Sequence, residues 1–302
     1  MARVLLGMNC NFAANRYTEP EEWTRIVGEE LGLRYVQYAS DLLDPYLPDA
    51  IQKRVCAETR AACDRYGIQI YAAFGGHFAH QHYLGHPDDE IRAEGERWMK
   101  RLIAQAAMLG AKGTGTCFAI MSARDTADPQ RREYITEQAV QAYRRLADYA
   151  AEVGLEYLMF EPTSVPREMA CTISETSGLL ERCANMAVPM RLCLDVGHGS
   201  VNSGDPADAD PCAWIRTFGK VAPVIHIQQT DKECSRHWPF TSEYNAQGVI
   251  KPQDILKAIE DSGAEEVLLV FEVSHKAFYP DEDRVIDDLK ESVEYWRQYV
   301  KE

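Results

Sequence analysis

The sequence has no Cys-x-x-Cys pair, no long apolar run, no excess of basic residues and no Gly/Ser-rich linker. Each absence removes a class of function. The nine cysteines are scattered, and several of them (Cys56, Cys63, Cys193) sit inside apolar periodic segments. They read as small core side chains in a reducing compartment, not as a disulfide frame or a zinc site. Nothing approaches the roughly 20 consecutive apolar residues of a membrane span. The opening MARVLLGMNC is too short an apolar run for a secretory leader and reads better as a first strand. Thirty-two Lys and Arg against 47 Asp and Glu leave a formal net charge of −15. So acidic a chain argues against nucleic acid or an anionic membrane as partner, because both require a basic footprint. A small anionic substrate needs only a few local cations and stays open. With no composition shift along the chain, residues 1–302 are expected to form one domain, with the cytoplasm as its setting.

What the sequence does have is an alternation. Short apolar runs at 3–9, 35–40, 68–74, 114–120, 156–161, 190–196, 223–229 and 266–273 read as strands. Between them lie longer amphipathic stretches at 20–31, 48–66, 89–109, 129–153, 174–186, 210–219, 252–262 and 281–300, with helical spacing such as Ile103, Ala106, Ala107 and Leu109. Gly32, Gly67, Gly110, Gly154 and Gly263 each follow a helical stretch, where a left-handed cap favours glycine. Thr18, ahead of Glu19-Pro20 and three residues before Glu21, has the spacing of a capping box. Gly113-x-Gly115 lies inside a strand with no glycine-rich turn after it, so it is not a dinucleotide motif. Eight strands alternating with eight helices predict an α/β chain with a parallel sheet. Eight units over 302 residues suit a closed, single (β/α)8 TIM barrel better than an open sheet.

In such a barrel the chemistry collects at the C-terminal ends of the strands. All eight histidines fall there: His77, His80, His82 and His86 after strand 3, His198 after strand 6, His226 in strand 7, His237 in its loop and His275 after strand 8. Four residues stand out by position. Glu161, Asp195 and Glu272 end the apolar strands 5, 6 and 8, and His226 lies within strand 7. An acid at the end of an apolar strand is costly to desolvate unless it is paired or holds a cation. Singly, each reads as a salt bridge or a cap; four on adjacent strands predict one site. Three carboxylates and one imidazole are a hard, oxygen-rich donor set for one divalent ion, Mn, Mg or Co before Zn. Such an ion, chelating a ketone and a neighbouring hydroxyl, would stabilise an enediolate while one Glu takes the carbon-bound proton and another returns it.

The segments Phe-Glu-Pro (160–162), Leu-Asp-Val-Gly-His (194–198), Ile-His-Ile-Gln (225–228) and Phe-Glu-Val (271–273), in that order, resemble the xylose-isomerase-like barrel superfamily. Within it they are most similar to the sugar (phosphate) isomerase/epimerase branch that contains the ketose 3-epimerases. The N-terminal half is similar only in its alternation and in Ala-Phe-Gly-Gly-His (73–77). The resemblance implies that Glu161, Asp195, His226 and Glu272 bind the metal. It also implies that Glu161 and Glu272 form the acid/base pair on opposite faces of an enediolate, and that His198 contacts substrate oxygens. Two positions depart from the pattern. Where such epimerases carry a Glu six residues after the first metal Glu, this chain has Arg167 followed by Glu168; where they carry an Arg six residues after the metal His, it has Lys232.

Lys232, Arg236 and His237 after strand 7, with His275 and Lys276 after strand 8, stand where barrels often hold phosphate. His77 joins His198, Lys232, Arg236 and His275 as an expected substrate contact. The His77, His80, His82, His86 group is too irregularly spaced to predict a second metal site and reads as loop histidines facing substrate, a partner subunit or water. Trp238-Pro239-Phe240 is expected to form an apolar lid, or to be buried against a second subunit of a homo-oligomer. The function expected is isomerisation or epimerisation of a short ketose or ketose phosphate. A dehydratase acting on a cyclitol or shikimate-like acid would use the same metal; a sugar-binding protein without catalysis would not need Glu161 and Glu272 on one.

Overall fold

Eight parallel strands close in sequence order in the computed structural model, which describes residues 2–76, 83–199 and 202–300. They are β1 (Arg3–Asn9), β2 (Tyr35–Ala39), β3 (Gln69–Phe74), β4 (Gly113–Cys117), β5 (Tyr157–Glu161), β6 (Met190–Asp195), β7 (Val224–Ile227) and β8 (Glu266–Phe271). Closure comes from β8 pairing back onto β1, with Leu6 opposite Leu269 and Met8 opposite Phe271. The helices are α1 (Pro20–Arg25, continued by a wider turn over Ile26–Glu30), α2 (Asp49–Tyr66), α3 (Asp89–Leu109), α4 (Ala123–Ala127), α5 (Pro129–Glu152), α6 (Ile173–Arg182), α7 (Pro211–Phe218), α8 (Ser242–Gln247), α9 (Pro252–Ser262) and α10 (Asp281–Arg297). The short α4 and α8 were not expected. A turn or so of helix is too brief to show a period, and the Ser122 and Thr241 hydroxyls that cap them are ordinary loop residues.

The five glycines expected to stop helices, Gly32, Gly67, Gly110, Gly154 and Gly263, all have positive φ. The capping box at Thr18 does not form. Pro20 occupies the first helical position, where its missing N–H is no loss, and this makes Glu19 the N-cap, with no side-chain capping bond. Thr18 instead donates to the Glu19 carboxylate at 3.3 Å.

Along each strand, side chains alternate between the barrel interior and the helix layer. Leu5, Ala72, Phe74, Tyr157, Met159, Cys193, Val224, Leu268 and Val270 belong to the cluster that fills the interior. Residues such as Leu6, Val36, Leu158, Leu192, Ile225 and Leu269 pack outward against helical residues that include Trp23, Leu102, Tyr143, Leu146 and Trp296. Gly115 shows how tightly β4 and β5 are packed, since an added Cβ would collide with the Met159 carbonyl. All nine cysteines are free and seven are buried. The 238–240 segment is neither lid nor surface patch: Phe240 is fully buried between Phe271 and Trp296, and Trp238 stacks on Tyr244 of α8 at 5.0 Å. No helix among the described residues is long and apolar enough to cross a membrane.

Candidate active site and metal centre

The interior alternation delivers the site. Two residues after Met159 comes Glu161, after Cys193 Asp195, after Val224 His226, and after Val270 Glu272. Each is the next inward position as its strand reaches the C-terminal mouth. Strand register places Asp195 directly opposite His226. The four side chains each bring one donor atom within 4.8 Å of the others. His226 Nδ1 faces the carboxylates, 3.2 Å from Glu161 Oε1, 3.1 Å from Glu272 Oε2 and 3.9 Å from Asp195 Oδ2.

The opposite side of the barrel orients that ring. Gln37 Oε1 lies 2.6 Å from His226 Nε2 and is an acceptor, so it selects the tautomer with the proton on Nε2 and a lone pair on Nδ1. Asn9 Nδ2 donates to the same Gln37 oxygen at 3.3 Å and to Glu272 Oε1 at 3.1 Å. The Cys193 sulfur lies 3.2 Å from Nε2, and the Phe74 ring packs edge-on against the imidazole with centroids 5.5 Å apart. Gln228, two residues after His226 and equally buried, donates to both Asp195 oxygens at 2.9 and 3.0 Å. Its carbonyl accepts from the His237 N–H at 2.5 Å, which helps hold His237 at φ 50.

Three carboxylates crowded round one imidazole attract positive charge. Burial pushes the Glu161 carboxyl up, but the His226 and His198 imidazoles outweigh it and hold the group down at about 2. Glu272 is likewise pushed up by burial, and His226 brings it well below the usual carboxylate range. Burial favours a neutral His226, yet Cys193, Glu272 and Glu161 raise its pKa well above the ordinary value. Burial also pushes the Cys193 thiol up to about 11, so at neutral pH it is uncharged and the carboxylates carry the attraction. For His198, burial is overcome by Asp195 and then Glu161, and its pKa rises to about 10. A donor set with this appetite for charge, and with its imidazole Nδ1 aimed inward, fits a divalent cation that would replace the Nδ1 proton.

The site opens into a cavity of about 1040 Å³. His198, with Nδ1 3.3 Å from Glu161 Oε1, and His237, with Nδ1 3.6 Å from Glu272 Oε2, line it; so does Lys232. Arg236 and His275 are not brought to the lining. Arg236 is bound by Asp231 and Glu233 at 2.7 and 2.9 Å, and His275 turns to Asp288 of α10 at 3.1 Å. Lys276 lies over the Phe278 ring. His77, His80 and His82 lie outside the described residues, and His86 accepts from the Asp88 N–H just ahead of α3. Arg167 donates to the Met121 carbonyl, while its neighbour Glu168 lines the cavity and accepts from Thr163 Oγ1 at 2.6 Å. Sequence reasoning missed Asn9, Gln37 and Gln228. Only Gln228 carried a usable signal, the two-residue spacing from His226.

A family model described as "Xylose isomerase-like TIM barrel" matches residues 27–299. The chain is 36% identical over 297 residues, 98% of its own length and 96% of the other, to a D-erythrulose 1-phosphate 3-epimerase of Brucella abortus (strain 2308). A crystal structure from Rhodospirillum rubrum ATCC 11170, named provisionally as a xylose isomerase, superposes with a TM-score of 0.90 at 30% identity, covering 98% of this chain and 99% of that one. D-Psicose 3-epimerase from Clostridium cellulolyticum H10 shares the fold, with a TM-score of 0.72 at 17% identity over 98% of this chain and 99% of that one. With the family model spanning most of the chain, this protein belongs to the xylose isomerase-like TIM-barrel family.

Proposed function

We propose that this chain is a divalent-metal-dependent epimerase that inverts carbon 3 of a short ketose phosphate, with D-erythrulose 1-phosphate as the model substrate. The observation that carries the reading is the convergence of two glutamates, Glu161 and Glu272, on His226 Nδ1 at 3.2 and 3.1 Å. Support for the substrate class comes from the B. abortus relative, which aligns over nearly the whole of both chains. Glu161, Asp195, His226 and Glu272 would hold the ion, Mn, Mg or Co before Zn. When bound, such an ion supplies Lewis-acid polarisation of a ketone oxygen, which lowers the cost of removing the adjacent carbon-bound proton.

The remaining tasks belong to the chain. One glutamate takes the proton from carbon 3, and the other returns a proton to the opposite face of the same carbon. Asn9, bonded to Glu272 Oε1, and His198, beside Glu161 Oε1, restrain the two carboxylates in place. Return to the same carbon gives epimerisation, and the relative's activity favours that outcome over dehydration, which the same donor set would also serve.

Incubation with D-erythrulose 1-phosphate, followed by chiral chromatography, should show the L-epimer accumulating to a mixture of the two. Exhaustive chelation should remove at least about 100-fold of the rate and Mn²⁺ should restore it. Formation of a dehydrated product, or a rate untouched by chelation, would contradict the reading.

A further inference from the structure

A phosphate must be read by positive charge that the protein has not already neutralised. Among the described residues, the cavity lining contains two side chains of fixed positive charge, Lys232 and Lys251. Neither forms an ion pair among those residues, whereas Arg236 is committed to Asp231 and Glu233, Arg216 to Asp210 and Arg16 to Glu282, and Arg167 beside Glu168 turns to the Met121 carbonyl and is not in the lining. Two unpaired lysines in one cavity are unusual for a chain with 47 acidic residues against 32 Lys and Arg.

Lys251 is also held in place. Its ammonium donates to the backbone carbonyls of Asn245 and Gly248 at 3.2 and 3.0 Å. Carbonyls orient the group without cancelling its charge, and an ammonium has a third N–H to offer. Lys251 is the N-cap of α9, a helix start with no side-chain capping bond, so the helix dipole adds to the same local field. Lys232 comes from the adjoining segment, which is tied to this one by the Val249 N–H to Thr230 carbonyl bond at 2.9 Å and the Ile250 N–H to Gln229 Oε1 bond at 3.0 Å. The acids on this wall are mostly engaged, Asp231 and Glu233 by Arg236 and Asp210 by Arg216. Asp254, one turn along α9, has no ion pair among the described residues, leaving two lysines against one carboxylate.

We propose that Lys251, with Lys232 beside it, forms the phosphate-binding end of the cavity, and that Lys251, in place of Arg236 or His275, makes the chain select a ketose phosphate over the free ketose. The assignment rests on the epimerase reading above for the identity of the substrate, but not for the binding of an anion.

The test compares metal-loaded wild type, Lys251→Met, Lys251→Arg and Lys232→Met on D-erythrulose 1-phosphate and on free erythrulose, with calorimetric titration of inorganic phosphate into each. Lys251→Met should lose about tenfold or more in kcat/KM on the phosphate, mainly through KM, and less than about twofold on the free ketose. Lys251→Arg should keep most of the preference, Lys232→Met should lose about threefold or more on the phosphate alone, and inorganic phosphate should bind about tenfold more weakly to Lys251→Met than to wild type. Equal losses on both substrates would mean that Lys251 only braces the 245–248 turn, and would overturn the assignment, as would an unchanged phosphate preference. If wild type epimerised neither ketose, the epimerase reading would fall by itself. The titration would then decide: phosphate binding weakened in Lys251→Met supports the site, and no binding to wild type removes it.

Discussion

The two arcs of the barrel mouth use different chemistry. The β5–β8 arc carries charge in Glu161, Asp195, His226 and Glu272, all on strands that neighbour one another. The β1–β3 arc faces it with neutral groups, the Asn9 and Gln37 amides and the Phe74 ring. Side-chain hydrogen bonds join the arcs: His226 Nε2 donates to Gln37 Oε1, Asn9 Nδ2 donates to Glu272 Oε1, and Gln37 Nε2 donates to the Cys193 sulfur at 3.6 Å. On this account the charged arc holds the cation and moves protons, while the neutral arc decides which nitrogen lone pair and which carboxylate oxygen face the site. A second charged arc would add like charge to a centre already rich in carboxylates; amides can orient it at little electrostatic cost.

The comparison breaks most visibly in the charged arc. Glu161→Gln and Glu272→Gln should each lose about 10²–10⁴-fold in turnover, the range of a single acid/base group, with an unchanged circular dichroism spectrum. Wild-type turnover in either variant would remove that residue from the acid/base pair. Next comes the neutral arc. Gln37→Leu leaves the Nε2 proton with only the weakly accepting Cys193 sulfur, so the Nδ1 lone pair is no longer enforced. Affinity for Mn²⁺, read by calorimetry, should fall about 10–100-fold. Unaltered affinity would reduce the neutral arc to packing.

A pH experiment separates the arcs differently. Because His226 is raised well above its ordinary value, the metal-free ring carries a proton at neutral pH, and a ligating Nδ1 must give it up. Loading Mn²⁺ should therefore release about one proton, and apparent affinity should tighten as pH rises from about 6 to about 8. Calorimetry in buffers of different ionisation enthalpy measures the proton count; affinity that is flat with pH would contradict the sign. The smallest effect is expected for Asn9→Ala, which removes one donor to Glu272 and should cost about 1 kcal/mol of metal binding, or about fivefold. A loss as large as that of Gln37→Leu would shift the orienting role to Asn9.

This difference between the arcs also explains what could be read from the sequence. An acid ending Tyr-Leu-Met-Phe or Leu-Leu-Val-Phe is an anomaly that only pairing or a cation resolves, so the charged arc was visible strand by strand. Asn9 at the end of β1 and Gln37 in the middle of β2 are neutral amides that carry no charge to mark them, and their importance lies in partners 263 and 189 positions away. Loop residues showed their charge but not their direction. Arg236 and His275 turn to acids of their own, and Glu168 reaches the cavity just ahead of Met169 and Ala170, both at positive φ, a backbone path that no side-chain pattern announces. Trp238-Pro239-Phe240 is an apolar run inside a polar loop and reads as a lid, whereas Phe240 is the filler between β8 and α10.

The central claim is that two carboxylates of one metal-holding cluster exchange the proton on carbon 3 of a ketose phosphate. Its most direct test is proton NMR of D-erythrulose 1-phosphate in D2O with Mn²⁺-loaded and chelator-stripped enzyme, the metal being removed before the spectra are recorded. The account predicts deuterium wash-in at carbon 3, seen as loss of its proton signal and found in both enantiomers once chiral chromatography separates them, dependent on the metal and lost in Glu161→Gln and Glu272→Gln. Epimer formation with the carbon 3 proton retained, or exchange that survives in the stripped enzyme, would contradict it.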